Sequence, residues 1–134
     1  PLNTTPGLFK KFCEELSQYI GPKSGTGRLF LIDGNIDALD QGIAELCNYG
    51  VSQAYGCSSA TMGYTSLTSR TASAERVGWK ADQLIFTENF ESYWKSGGRP
   101  HTTLSGEQMM SLQGMADFAV NGTSCGFGGY HMEY

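Results

Sequence analysis

Apolar positions along this chain switch repeatedly between helical and strand-like spacing. In "TPGLFKKFCEELSQYIG", Leu8, Phe9, Phe12, Leu16, Tyr19 and Ile20 recur at helical intervals. This predicts a helix with Thr5 as N-cap, Pro6 at the first helical position and Gly21 as terminator. After the turn "PKSGTG", the run "RLFLID" is bounded by Gly27 and Gly34 and has the pattern of a strand buried on both faces. The unit then repeats. "DALDQGIAELCNY" predicts a second helix and "GVSQAYG" a second strand, "GYTSLTSRTASAERVG" a third helix and "ADQLIFTE" a third strand. "NFESYWKSGGRPHTTLSGEQ" reads as a long loop, "MMSLQGMADFA" as helical or partly extended, and "GFGGYHMEY" as a fourth strand. The strands are expected to start near Arg28, Gly50, Asp82 and Gly126.

Strands separated by helical crossovers define an α/β fold with a parallel sheet. A doubly wound sheet and a (β/α)8 barrel both accommodate four such units, and periodicity does not choose between them. The chain has 134 residues, 40% of them apolar, which is enough for one domain and too little for two. A complete barrel needs about 250 residues. The pattern opens on a helix and closes in a strand, so the expectation is half of a larger unit, the rest supplied upstream in the same polypeptide or by another chain.

Charge narrows the partners. The formal net charge is −4 and the nine basic residues are dispersed, leaving no basic patch for a phosphate backbone and arguing against nucleic acid. No segment approaches the roughly 20 apolar residues of a membrane span. Cys13, Cys47, Cys57 and Cys125 form no C-x-x-C pair, so neither a zinc ribbon nor a dithiol redox site is expected, and the thiols are expected to be buried or free. Two histidines without ligand spacing give no metal site and no cofactor is implied; His101, in a Gly/Pro loop, reads as solvated. Aromatic residues make up 12% of the chain and glycines number 18, a composition that suits carbohydrate surfaces among others.

In both candidate folds chemistry sits at the C-terminal ends of the strands. Along "VSQAYG", Gln53 and Tyr55 point one way and the small residues Ser52 and Ala54 the other. A helix packs closely on the small side, which aims the polar pair at the interior. Such a pair is either a set of core polar groups satisfied by neighbours or a ligand-binding pair. Asp33 and Glu88 occupy equivalent strand exits, each as a helix N-cap or a pocket residue. The aromatics and glycines of "GFGGYHMEY" allow either sugar stacking or packing.

The residues "YIGPKSGTGRLFLIDG", "VSQAYG", "FTENFESYWKSGG" and "GFGGYHMEY" resemble the C-terminal half of a family 18 glycoside hydrolase, of the endo-β-N-acetylglucosaminidase-like kind found in gut Bacteroidetes. Gln53-Ala54-Tyr55 is similar to the Q-x-Y motif on the sixth barrel strand of these enzymes, where chitinases more often carry M-x-Y. The resemblance implies a (β/α)8 TIM barrel, with residues 1–134 as one half-barrel domain supplying roughly strands 5 to 8. It also implies retaining hydrolysis in which the substrate's acetamide is the nucleophile. Tyr55 and Gln53 would then act in catalysis, Tyr55 donating to the acetamide carbonyl and Gln53 bonding the same sugar or the neighbouring carboxylate. Glu88, Asn89, Tyr130 and Asp33 would line the sugar subsites.

The acid of that family lies in a D-x-x-D-x-D-x-E motif on the fourth strand, and no such motif occurs in these 134 residues. Two functions follow from the resemblance. One is an endoglycosidase that cuts the di-N-acetylchitobiose core of N-glycans, and the other is a non-catalytic surface glycan-binding protein on the same barrel. Both imply an N-acetylglucosamine-containing glycan or glycoprotein as partner. Both also imply a bacterial extracellular, periplasmic or lipoprotein-anchored location. A phosphate- or nucleotide-binding α/β domain ranks last, since no G-x-G-x-x-G or Walker-type loop follows any strand.

Overall fold

The computed structural model describes residues 5–55, 64–89, 100–102 and 106–130. Cys57, residues 90–99 of the expected long loop, His131 and Glu133 lie outside them. Four strands, β1 (Leu31–Gly34), β2 (Tyr49–Gln53), β3 (Leu84–Asn89) and β6 (Gly126–Tyr130), form one sheet in that order, and every neighbouring pair is parallel. Strand order follows chain order without reversal, as in a barrel wall; a doubly wound sheet would switch direction. In a separate antiparallel pair, β4 (Pro100–Thr102) lies inside the region expected to be loop, and β5 (Gln108–Met110) runs from its last residue into the start of "MMSLQGMADFA", the segment read as helical or partly extended.

One face of the sheet is covered. Gly50, Ser52, Leu84 and Phe86 point to it, and helices α2 (Tyr64–Arg76) and α3 (Ser111–Val120) supply Leu67, Thr71, Ala74, Met115 and Phe118 to the same core. The Phe86 and Phe118 rings meet edge to face at 5.8 Å, a favoured aromatic geometry. Trp79 is 2% exposed, and its indole N–H donates to the carbonyl of Ile36 at 3.0 Å, so the largest core side chain carries no unpaired donor. Its ring lies against Gly50, where an added Cβ would come within 2.9 Å of two ring carbons and 3.0 Å of Ile36. Glycine there lets the indole reach the strand.

The other face is open. Leu31 and Asp33 of β1 are exposed on it, with Leu31 at 50%. The reading of "RLFLID" as buried on both faces is corrected here: the strand spans four residues and only its helix-side positions are partly covered. In a closed barrel that second face is the packed interior, which explains why an apolar run points at solvent in these residues.

Two helix expectations also change. Helix α1 runs Leu8–Leu16, with Gly7 at the N-cap position and no side-chain cap. Thr5 accepts the Leu8 N–H through its backbone carbonyl at 3.1 Å. With Pro6 and then Gly7 (φ 74°, ψ −8°) as central residues, this is a type II turn, so Pro-Gly chemistry displaces the N-cap. No continuous helix forms over "DALDQGIAELCNY": one 3₁₀ turn, Ile36–Ala38, overlaps its start, a second, Ala44–Leu46, lies within it, and Tyr49 already belongs to β2. Leu39 is extended (ψ 156°) and Gly42 is left-handed (φ 90°), which interrupts any continuous helix. Burial of Ile43, Ala44, Leu46 and Cys47, with Leu39 packed against them, produces the apolar spacing that mimics one.

Candidate functional site

Register partners in a parallel ladder share a face, so the open side can be read row by row. Asp33, Val51, Ile85 and Gly126 form one row; Gln53, Thr87 and Gly128 form the next toward the C-terminal ends; Asn89 stands last. Apolar side chains thus give way to polar ones toward the strand exits. A small polar concentration is placed where barrel chemistry occurs.

Gln53 is exposed on this face and donates its side-chain amide to Asp33 Oδ2 at 3.2 Å. The bond joins the exits of two strands and engages the amide end of the Gln53 carboxamide. The ladder continues past β2, because the Ala54 N–H donates to the Thr87 carbonyl at 2.9 Å. Tyr55 follows in the turn, half-buried. Ser52 and Ala54 are buried on the helix side, and Arg70 of α2 donates to Ser52 Oγ at 3.4 Å. The small residues admit the helix, and the alternation sends Gln53 outward.

The other anticipated residues divide. Asn89 belongs to the open face and is half-buried. Tyr130 is its backbone partner; the side chains of Tyr130 and His101 lie outside the described ones. Glu88 falls on the opposite side, with Leu84 and Phe86, and is 0% exposed. One of its oxygens accepts the Asn89 N–H at 2.7 Å. Glu88 therefore sits among the covering helices, apart from Asp33 and Gln53. Thr87, not anticipated from the sequence, stands between Gln53 and Gly128. Its signal was the parity it shares with Asn89.

Among the described residues the thiols are all held toward their neutral form. Burial, helped by nearby Cys13, pushes the Cys47 thiol up to about 12. Cys13 is raised by burial and then by Glu14, and the exposed Cys125 is raised by burial and by Asp82 against an opposing backbone hydrogen bond. All three are free and stay protonated at neutral pH. Among the described residues no three His, Cys, Asp or Glu side chains gather to hold a metal ion, and no helix is long and apolar enough to cross a membrane.

A parallel sheet in unbroken chain order, helices on one face and a polar cluster at the C-terminal strand exits define part of a (β/α)8 barrel. Sequence comparison agrees, matching residues 2–134 to glycoside hydrolase family 18, BT1044-like. The chain belongs to that family. A solved Bacteroides structure, a selenomethionine form of BT1044 carrying a Glu-to-Gln substitution, superposes with a TM-score of 0.66 at 26% identity. The match covers 94% of this chain and 38% of that one, so the chain spans well under half the length of the structure it resembles. No curated protein matches the sequence.

Proposed function

We propose that the full-length protein is an endo-β-N-acetylglucosaminidase that cuts the di-N-acetylchitobiose core of N-glycans. Under this reading the present residues orient the substrate, and the acid is supplied by the other half of the barrel. What carries the reading is the pairing of Gln53 with Asp33 on the open face, directly before Tyr55, within a family 18 chain. The partner is an N-acetylglucosamine-containing glycan or glycoprotein, met at the surface, in the periplasm or outside a bacterial cell.

The chemistry asks little of these residues individually. A substrate acetamide attacks its own anomeric carbon only when its carbonyl oxygen is held in line, and such preorganisation is worth large effective molarities. The Tyr55 hydroxyl donates to that carbonyl. The Gln53 carbonyl, its amide already engaged by Asp33, accepts from the acetamide N–H or a hydroxyl of the same sugar. A donor placed where charge develops also stabilises the cyclic intermediate electrostatically. Asn89 and Thr87 border the same ring.

The test is Tyr55→Phe in the full-length protein, assayed for turnover and for glycan affinity. A catalytic role lowers turnover far more than affinity; equal losses in both contradict it. A protein that binds the glycan tightly and never releases product is the surface receptor instead.

A further inference from the structure

We infer that Glu88 is a positioning residue for the glycan site, acting from the helix side of the sheet through Asn89. The inference rests on the glycan-binding reading above and assigns Glu88 a part in it that involves no contact with sugar. Three observations carry it. Glu88 is wholly buried and shares its face with Leu84 and Phe86, so its side chain lies behind the sheet as seen from the glycan. One oxygen of its carboxyl group accepts the N–H of the next residue, Asn89, at 2.7 Å, a short hydrogen bond. Asn89 is the last residue of β3 and belongs to the polar row of the open face.

Asn89 sits on the last rung of the ladder, opposite Tyr130, and the direction of its side chain depends on the last backbone torsions of the strand. The Glu88 oxygen bonded to the Asn89 N–H adds a restraint on those torsions to the one the rung supplies. Low dielectric around a buried group strengthens such a bond and raises the cost of breaking it. The Asn89 carboxamide is thereby presented to the open face in one orientation, which reduces the ordering that a sugar would otherwise impose on it.

Two measurements on the full-length protein test the inference, one of them independent of any glycan. Amide exchange at Asn89 is compared among wild type, Glu88→Gln, which keeps volume and an acceptor oxygen, and Glu88→Met, which keeps volume alone. Faster exchange at Asn89 in Glu88→Met, with a smaller change in Glu88→Gln, is expected; unchanged exchange in Glu88→Met overturns the inference.

Affinity for a di-N-acetylchitobiose-terminated glycan is then measured in a cycle with Asn89→Ala. Each of Glu88→Met and Asn89→Ala should lose about fivefold, the scale of one hydrogen bond, and the double variant no more than either alone. Additive losses would make Glu88 independent of Asn89 and overturn the inference, as would full affinity in Glu88→Met. Should Glu88→Met fail to fold, Glu88→Asp decides by the same two readouts: its shortened side chain draws the acceptor back, and exchange or affinity matching wild type overturns the inference. A wild-type protein that does not bind this glycan refutes the functional reading, while the exchange comparison still decides what Glu88 does to Asn89.

Discussion

Gln53 and Asp33 are joined across the open face of the sheet by a single hydrogen bond of 3.2 Å, amide to carboxylate, at the exits of two adjacent strands. An exposed bond of this kind adds little to stability. Its consequence is orientation: the Gln53 amide is committed to Asp33, and under the proposed function the carbonyl oxygen is the end that meets the sugar. Removing Asp33 frees the carboxamide to rotate.

Asp33→Leu is therefore expected to weaken glycan affinity about fivefold, the scale of one hydrogen bond. Asp33→Asn, whose side-chain oxygen can still accept, should lose less. Isothermal titration on the full-length protein compares them, and in the Gln53→Ala background Asp33→Leu should add almost nothing. Independent losses would show that the pairing is incidental to binding.

Gly50 admits the Trp79 ring to the strand, and a methyl group there has no room. Gly50→Ala should destabilise the protein by about 1–3 kcal/mol through overpacking. Urea unfolding of the full-length protein reads this directly. Trp79→Phe removes the ring atoms that collide, so Gly50→Ala should cost less in that background than in wild type.

The raised Cys47 thiol gives an alkaline signature. Its folded value lies near 12 against 9.0 for a free thiol, so the folded chain retains a proton that the unfolded chain releases between those values. The stabilisation is complete below pH 9 and is lost as pH rises toward 12. Cys47→Ala should flatten the fall of stability over that window by at most one proton's worth, about 1.4 kcal/mol per pH unit. Identical slopes for variant and wild type would mean that Cys47 ionises in the folded protein as readily as in the unfolded one.

Much of the site is legible in the sequence because a strand alternates strictly. The small pair Ser52 and Ala54 marks the helix side of β2, and that places Gln53 on the other side without knowledge of the fold. The same count applied to "LIFTEN" places Glu88 with Leu84 and Phe86, and Thr87 with Asn89. Position at a strand exit draws attention to Glu88, yet parity decides which way it points. The bond from Gln53 to Asp33 is not legible, since it depends on two strands lying side by side at one stagger, and spacing along the chain is silent on that.

The crossovers are less readable. Helical spacing over "DALDQGIAELCNY" reflects residues that bury themselves individually in and around two short turns, while the left-handed Gly42 and extended Leu39 between them break the helix. Exposure of Leu31 has a different origin. "RLFLID" is written for the interior of a closed barrel, and the structure describes four parallel strands of one.

The most direct test is incubation of the full-length protein with an N-glycosylated glycoprotein, followed by the mass of both products. The expected result is free glycan ending in one N-acetylglucosamine, with one such sugar left on the asparagine, and release slowed sharply by Tyr55→Phe. Glycoprotein recovered intact, with the glycan bound but uncut, would contradict a hydrolase and make Gln53, Asp33 and Tyr55 a receptor surface.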